Sequence, residues 1–204
     1  YWAQALAEQT DDAALAARLA QDGVTVRPYS EALPTLAALP ADSVMLLDPK
    51  RVTWGLREAV PTGVKVVEAI NPSTLAKSRK TDAEAAFIRE AMERDGAAMC
   101  AFYAWLEQAL GREHVSELTI DERLTAERAK RPGFVGLSFN TIAGFNANGA
   151  MPHYRATPES HAVIEGDGLL LIDSGGQYPG GTTDITRVWP IGTPSAAQKR
   201  DYTL

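Results

Sequence analysis

Cysteine is nearly absent from this sequence, which has one cysteine, Cys100, among its 204 residues. The chain can therefore form no internal disulfide. Cys100 lies in MCAFYAWL, an apolar stretch whose helical spacing predicts a buried thiol rather than a reactive one. The sequence also has no run of about 18 apolar residues, so we expect no membrane-spanning segment.

Positive charge is scarce as well. Lysine and arginine number 20 against 26 acidic residues, which gives a net charge of −6. A mildly acidic chain without a basic run is poorly suited to phosphate backbones, so no nucleic-acid partner is predicted. The one basic cluster, RAKR at residues 128–131, is interpreted as a solvated helix end. The loop FNANGA at residues 145–150 lacks the GK[ST] of a phosphate-binding loop.

Residues 1–72 alternate between helical and strand-like patterns. Short apolar runs such as SVMLL are typical of buried strands, and Ser30 is a predicted N-cap for the helix that begins beside it. This alternation favours an α/β layer. The predicted elements are helices at 2–20, 29–39 and 49–58, and strands at 24–27, 43–47 and 64–69.

Residues 73–204 have helices first and strands later, which is typical of an α+β arrangement. Thr81 and Glu84 form a capping box ahead of a long helix, and Thr119 and Glu122 form the same pattern ahead of a second one. The predicted elements are helices from Asp82 to Leu110 with a break at Gly96 and from Thr119 onward, strands within 135–142, 169–173 and 182–189, and a last helix from Ser195.

The stretch LLLIDSGGQYPGGTTDITR, residues 169–187, contains two kinds of candidate catalytic group. Ser174 in DSGG would be a nucleophile if a general base lay within hydrogen-bonding distance, and the histidines are His114, His153 and His161. The long helices, however, contradict the all-β barrel in which trypsin-like proteases carry this motif, and GxSxG is absent. The simpler interpretation of DSGG is a strand end followed by a glycine turn.

The two aspartates of this stretch are the other candidates. Asp173 ends one apolar strand, Asp184 lies within the next, and GGQYPGG between them suits a reversal. Antiparallel pairing can set the carboxylates nearly opposite each other, where a divalent cation would relieve their repulsion. The alternatives are a turn cap for Asp173 and an ion pair between Asp184 and Arg187. Thr182 and Thr186 share the face of Asp184 by strand alternation, and their hydroxyls are predicted to orient its carboxylate.

His153 follows the glycine-rich loop, in GAMPHYRATPE. A lone loop histidine is most often a surface or turn residue. A histidine near a dimetal site can instead bind substrate or donate a proton. Both interpretations stay open on the residues alone.

The segments NANGAMPHY, LLLIDSGGQYPGGTTDITR and IGTPSAAQKRDYT closely resemble the Xaa-Pro aminopeptidases (aminopeptidase P) of the pita-bread metallopeptidase family, M24. GGTTDITR together with SFNTI favours the aminopeptidase P branch over prolidase. The resemblance implies that residues 1–72 are the C-terminal part of a creatinase-like α/β domain. Residues 73–204 would then be the N-terminal half of a pita-bread catalytic domain.

That family holds two divalent ions, expected to be Mn²⁺, with two aspartates, one histidine and two glutamates. The resemblance implies that Asp173 and Asp184 are metal ligands, that His153 faces the substrate and that Ser174 has no catalytic role. A hydroxide bridging the ions would attack the carbonyl of the Xaa-Pro bond. The other three ligands would lie beyond Leu204, so the chain is interpreted as a fragment that is inactive alone.

The resemblance further implies a cytoplasmic, homodimeric enzyme that removes the first residue from peptides with proline second. Neither a nucleic acid nor a membrane is an expected partner. Two alternatives stay open. One is a prolidase, which cuts only dipeptides, and the other is a pita-bread domain kept as a non-catalytic peptide- or protein-binding module.

Overall fold

A short parallel sheet organises the first part of the chain. The computed structural model describes residues 13–203, which form two units that divide between Arg79 and Lys80. The portion of the predicted helix 2–20 before residue 13 lies outside the described residues. The elements of the first unit are α1 Ala13–Gln21, α2 Ala32–Ala37, β1 Val44–Leu47, α3 Trp54–Glu58, β2 Lys65–Glu68 and α4 Pro72–Ser78.

The first unit has a small apolar core beside its two strands. β1 and β2 pair in parallel, with Val44 opposite Lys65, and Leu47, Val60 and Val64 are buried together. Parallel strands joined through a helix confirm the predicted α/β layer. The predicted domain boundary between residues 72 and 73 stays a prediction.

Two local predictions in this unit are wrong. The strand expected at residues 24–27 is reduced to a single bridge position at Arg27. Ser30 does not cap a helix, because it lies inside a 3₁₀-helix, Tyr29–Glu31, that runs directly into α2. The N-cap of α2 is Glu31, and its side chain makes no capping hydrogen bond.

The second unit places two helices before its strands, as predicted for an α+β arrangement. The elements are α5 Asp82–Ala109, α6 Glu117–Ala129, β3 Gly136–Leu137, β4 Ile142–Phe145, β5 Gly168–Ser174, β6 Gly176–Tyr178, β7 Gly181–Thr182, β8 Ile185–Ile191 and α7 Ala196–Thr203. The strands form two three-stranded antiparallel sheets, in the orders β3-β6-β7 and β4-β5-β8. Among the described residues, no helix is both long and apolar enough to cross a bilayer.

Capping groups fix where the long helices begin. Thr81 Oγ1 accepts from the backbone N–H of Glu84 at 3.2 Å, and Glu84 Oε2 accepts from the N–H of Thr81 at 2.8 Å. This confirms the predicted capping box of α5. The helix continues through Gly96 without the expected break. The predicted start of α6 is wrong, since Ser116 is the N-cap and its hydroxyl accepts from the N–H of Thr119.

The core of the second unit lies between the helices and one face of the β4-β5-β8 sheet. Alternate residues of β5 are buried, so Leu170, Ile172 and Ser174 face the helices while Asp173 faces the other way. The fully buried apolar side chains include Phe102 of α5 and Ile120 of α6. The sheet face that carries Asp173 is therefore separate from the core.

The structure reverses two predictions about polar and apolar positions on these helices. Cys100, predicted to be buried, is exposed, because it faces away from the core-facing residues Met99 and Phe102. Arg128, predicted to belong to a solvated helix end, is 0% exposed. It forms an ion pair with Asp95, with Nε–Oδ1 at 2.6 Å.

Candidate metal centre

A continuous β-hairpin carries both candidate aspartates. β5 pairs with β8 and β6 pairs with β7, and the two ladders keep the same register. At the tip, Tyr178 lies opposite Gly181, and Pro179 and Gly180 form the two-residue turn. Gly180 has a φ of +82°, which glycine adopts readily. The predicted reversal at GGQYPGG is confirmed.

The hairpin's ladder is interrupted at Gly175, the first glycine of DSGG, between β5 and β6. A β-carbon on Gly175 would lie 1.9 Å from the carbonyl oxygen of Thr183 and 2.3 Å from Ser138 Oγ. No other residue type fits without moving the opposite strand. The glycine therefore permits a close approach of the two strands beside both aspartates.

Asp173 and Asp184 are diagonal neighbours across this hairpin. Asp173 lies directly opposite Thr186, and Asp184 stands two residues before Thr186, so the aspartates are not directly opposite each other as predicted. Diagonal neighbours still lie within reach of each other's side chains. The Asp184 carboxyl is in fact within hydrogen-bonding distance of Asp173.

The pairing raises the pKa of Asp184 above its usual value. Partial desolvation, the negative charge of Asp173 and the hydrogen bond shared with Asp173 all act in this direction. Because the Asp184 side chain is exposed, the charge of Asp173 accounts for the raised pKa better than desolvation does. Two carboxylates this close resist simultaneous ionisation, and an oxygen-seeking divalent cation would relieve that repulsion. The donor set of this pair thus fits a hard divalent metal.

Of the two threonines predicted to orient Asp184, neither does so. Thr186 Oγ1 donates to Oδ1 of Asp173 at 2.9 Å, so it orients the other aspartate. Thr182 Oγ1 donates to Oε1 of Gln177 at 2.6 Å, because the side chains of this cross-strand pair meet on the exposed face of the hairpin. Thr182 thus does not have its predicted contact.

Arg187 is not the partner of Asp184 either. Its Nη1 donates to the backbone carbonyl oxygen of Thr186 at 2.7 Å, and residues 13–203 contain no ion pair between Arg187 and Asp184. The alternative of a structural ion pair for Asp184 therefore has no support in the structure.

Ser174 is enclosed in the core and lies among groups that cannot activate it. Its side chain is 0% exposed, its Oγ accepts from Nη2 of Arg128 at 3.1 Å, and Met99 Sδ lies 4.0 Å away. A nucleophilic serine needs a general base and access for substrate. The environment of Ser174 supplies neither, which agrees with the simpler interpretation of DSGG.

His153 lies in a turn after the 3₁₀-helix Asn146–Ala150. Its φ of +57° is unusual for a residue with a side chain. The imidazole is exposed, and strained exposed positions of this kind occur often at functional sites. His114 is also exposed, and Nδ1 of His161 lies 2.9 Å from the carbonyl oxygen of Thr157.

The described residues contain no complete set of metal ligands. Nowhere in residues 13–203 do three or more His, Cys, Asp or Glu side chains converge as ligands. Asp173 and Asp184 thus form a pair of carboxylates, and the structure brings no histidine to them as a third ligand.

One buried carboxylate that the sequence did not single out organises the segment around His153. Glu117 is 1% exposed and accepts from the backbone N–H of Phe145 at 2.8 Å and of Ala162 at 2.7 Å. It also accepts from Asn148 Nδ2 at 3.0 Å and from the hydroxyl of Tyr154 at 2.8 Å. Tyr154 is the residue next to His153. Desolvation and the bond to Glu117 raise the pKa of Tyr154 to about 12.

A second buried group that the sequence did not reveal is the Asp95–Arg128 ion pair. Besides the bond to Arg128 Nε, Asp95 accepts from Arg128 Nη2 at 3.0 Å. It also accepts from the Tyr178 hydroxyl at 3.0 Å and from the Thr183 hydroxyl at 2.8 Å. Four donors thus satisfy a fully buried carboxylate. Helical periodicity could have indicated that Arg128 is buried, since it stands four residues after buried Leu124.

Comparison with known proteins identifies the family of the chain. The family model described as metallopeptidase family M24 matches residues 86–204. The chain belongs to metallopeptidase family M24. A model described as the creatinase/prolidase N-terminal domain matches residues 5–84. The resemblance inferred from the motifs is thereby confirmed.

Curated relatives of this M24 chain are much longer than it is. The "Probable Xaa-Pro aminopeptidase P" of Botryotinia fuckeliana is 39% identical over 198 residues, which is 92% of this chain and 30% of that protein. The protein of the same name from Sclerotinia sclerotiorum is 37% identical over 195 residues, 91% of this chain and 32% of that protein. The chain therefore spans about a third of the length of these relatives.

Solved structures share the fold of this M24 chain. An X-prolyl aminopeptidase from Caenorhabditis elegans, described as a cytosolic enzyme with a dinuclear active site, matches with a TM-score of 0.78 and 24% identity. The match covers 91% of this chain and 31% of that one. Prolidase from Pyrococcus furiosus matches with a TM-score of 0.67 and 23% identity, over 91% of this chain and 53% of that one. At this identity the likeness shows the fold, which confirms a creatinase-type domain followed by pita-bread structure.

Proposed function

We propose that these residues belong to a metal-dependent aminopeptidase that hydrolyses the bond between an N-terminal residue and a following proline. The observation that carries the proposal is the pairing of Asp173 with Asp184 beside Gly175 in the hairpin, in a chain that belongs to family M24. The curated relatives named Xaa-Pro aminopeptidase P support the substrate class. The dinuclear site named for the Caenorhabditis elegans enzyme supports two metal ions.

Asp173 and Asp184 would hold the ions, for which we propose Mn²⁺. The Thr186 hydroxyl donates to Oδ1 of Asp173, and a hydrogen bond of this kind would orient that carboxylate as a ligand. The remaining ligands of the site would be supplied by residues after Leu204. When bound, such ions activate a water molecule and polarise the scissile carbonyl.

His153 would bind the substrate. Its turn is held from one side by the bonds of Tyr154 and Asn148 to the buried carboxylate of Glu117. A backbone held in this way gives the imidazole a defined position from which it can donate a hydrogen bond to a substrate carbonyl oxygen. We propose this positioning role for the exposed ring of His153.

Hydrolysis by the full-length protein separates the candidate functions. Purified protein is stripped of metal with a chelator, supplied again with Mn²⁺, and mixed with an Arg-Pro-Pro peptide and with an Arg-Pro dipeptide. Release of arginine from both, or from the tripeptide alone, agrees with the proposal. Cleavage of the dipeptide alone would show a prolidase, whose fold this chain shares. Peptide binding without hydrolysis would show a binding module.

The 204-residue chain alone provides a second comparison. Because residues 13–203 bring no third ligand to Asp173 and Asp184, we expect it to bind Mn²⁺ weakly and to release no arginine. Release of the first residue by this chain would contradict the proposed division of ligands. For the full-length enzyme we propose a cytoplasmic homodimer, which sedimentation and cell fractionation would test.

A further inference from the structure

The residues next to the two aspartates both point into the core. Ser174 follows Asp173 and Thr183 precedes Asp184, and both side chains are 0% exposed. Asp173 is only half-buried and Asp184 is exposed. The hairpin thus turns both carboxylates outward and both of these neighbours inward.

Both inward neighbours bind the same buried ion pair. The Thr183 hydroxyl donates to Oδ2 of Asp95 at 2.8 Å, and Ser174 Oγ accepts from Nη2 of Arg128 at 3.1 Å. Asp95 and Arg128 are joined by two hydrogen bonds, of 2.6 and 3.0 Å. A single bidentate pair, held between α5 and α6, therefore contacts each strand of the hairpin beside its aspartate.

Thr183 makes further hydrogen bonds besides the one to Asp95. Its Oγ1 also accepts from the backbone N–H of Gly176 at 2.8 Å, and its carbonyl oxygen accepts from Ser138 Oγ at 2.9 Å. The close approach of the strands at Gly175 leaves no room for a β-carbon at this level. The side-chain hydroxyl and the backbone carbonyl of Thr183, the residue before Asp184, are consequently both hydrogen-bonded.

Stability alone does not account for an ion pair at this place. Replacing a buried ion pair with apolar side chains of similar volume is often neutral or stabilising, since both charges must lose their hydration. Such a pair does supply directional bonds of fixed length, which apolar packing cannot. Directional bonds are what a pair of metal-binding carboxylates requires.

We propose that Asp95 and Arg128 are positioning residues that set the separation of Asp173 and Asp184 through Thr183 and Ser174, and thereby the metal affinity of the site. The inference rests on the proposed binding of metal by the two aspartates. It assigns Asp95 and Arg128 no contact with metal or substrate.

The test measures Mn²⁺ affinity by isothermal titration calorimetry, and the visible absorption of the Co²⁺ form, on the full-length protein. Thr183→Val keeps the volume of the side chain and removes its hydroxyl. We expect the Mn²⁺ dissociation constant to rise about tenfold or more, with a changed Co²⁺ spectrum. Thr183→Ser keeps the hydroxyl and is expected to retain the affinity of the wild type.

Tyr178→Phe is the matched control. It removes another hydrogen bond to Asp95, of 3.0 Å, but Tyr178 has no candidate ligand beside it. We expect Tyr178→Phe and Thr183→Val both to lower the melting temperature of the metal-free protein, while Tyr178→Phe changes the Mn²⁺ dissociation constant by less than roughly twofold. An equal loss of affinity in both variants would show a structural role only and would overturn the inference.

Two further variants complete the design. Ser174→Ala tests the other strand and decides the outcome if Thr183→Val does not fold, with the same expected loss of Mn²⁺ affinity. Asp184→Asn separates this inference from the proposed function. If Asp184→Asn abolishes Mn²⁺ binding while Thr183→Val and Ser174→Ala bind as the wild type does, the positioning role is wrong and the metal site stands. If Asp184→Asn leaves Mn²⁺ binding unchanged, both are wrong.

Discussion

Thr183 and Asp95 lie 88 residues apart in the chain, and a hydrogen bond of 2.8 Å joins Thr183 Oγ1 to Asp95 Oδ2. The bond connects the long helix α5 to the hairpin that carries the candidate metal ligands. It also ends at a carboxylate that is paired with a buried arginine. A hydrogen bond therefore links the buried ion pair of the second unit to the hairpin that carries the candidate site.

Removing one member of the buried ion pair should strongly destabilise the protein. Arg128→Met leaves the Asp95 carboxylate buried without its counter-charge, and breaking a buried pair in this way costs about 3–5 kcal/mol. Urea denaturation followed by circular dichroism measures the change. Arg131→Met, which removes a partly exposed arginine near the same helix end, is the control and should cost less than about 1 kcal/mol.

The double variant Asp95→Leu with Arg128→Met supplies the coupling energy. We expect it to be less destabilised than the sum of the two single variants, because no unpaired charge is left in the core. Additive single changes would mean that the two side chains do not act as a buried ion pair.

The burial of Arg128 could be predicted from helical periodicity but not from the composition of its segment. RAKR has the composition of a solvated helix end, yet Ile120, Leu124 and Arg128 recur every four residues and are all 0% exposed. The period of the helix places Arg128 on the core face. Composition pointed to the surface, and the buried partner Asp95 on another helix could not be identified from either segment alone.

The hairpin was more predictable than the helices because its signals are local. Apolar runs, a Pro-Gly pair at the tip and the glycines around it predicted the reversal and brought Asp173 near Asp184. The offset of two residues between them depends on which residues form the turn, and a one-residue shift changes every pairing. The contacts of Thr182 and Thr186 were likewise decided by that register and not by strand alternation alone.

Glu117→Gln should loosen the segment that carries His153. The glutamate accepts two backbone N–H groups as well as two side chains, and hydrogen bonds to a charged group contribute about 1.5–3 kcal/mol each. We expect a loss of about 2–3 kcal/mol in the free energy of unfolding, with faster hydrogen exchange across residues 145–162. Glu122→Gln, at an exposed position of the same helix, is the control and should change neither quantity.

The same substitution should change the ionisation of Tyr154. Its pKa is raised to about 12 by desolvation and by the bond and charge of Glu117. With glutamine at position 117 the charge is absent, so the pKa should fall toward the ordinary 10.0. Absorbance at the phenolate band during an alkaline titration, compared with a Tyr154→Phe variant, measures it. An unchanged pKa would mean that Glu117 does not contact Tyr154 in solution.

The capping box at the start of α5 predicts a pH dependence. Hydrogen bonds from the backbone and the side chain of Thr81 lower the pKa of Glu84 below its usual 4.5. A lowered folded-state pKa stabilises the helix start above pH 4.5, and this stabilisation is lost as the pH falls through the lowered value. A carboxyl-carbon NMR titration should give Glu84 a pKa below 4.5 in the wild type. Thr81→Ala removes the hydroxyl but keeps the backbone N–H, so the pKa of Glu84 should rise part of the way toward the ordinary value, and no difference between the two proteins would exclude a role for the Thr81 hydroxyl.

The role that we propose for Asp173 and Asp184 is to bind metal together. The most direct measurement is the number of Mn²⁺ ions retained per chain by the full-length protein after equilibrium dialysis, determined by mass spectrometry of the metal. We expect two ions in the wild type and in Asp167→Asn, an exposed control whose Oδ1 acceptor for Thr193 is kept. Asp184→Asn should retain fewer than one. Two ions retained by Asp184→Asn would contradict the claim.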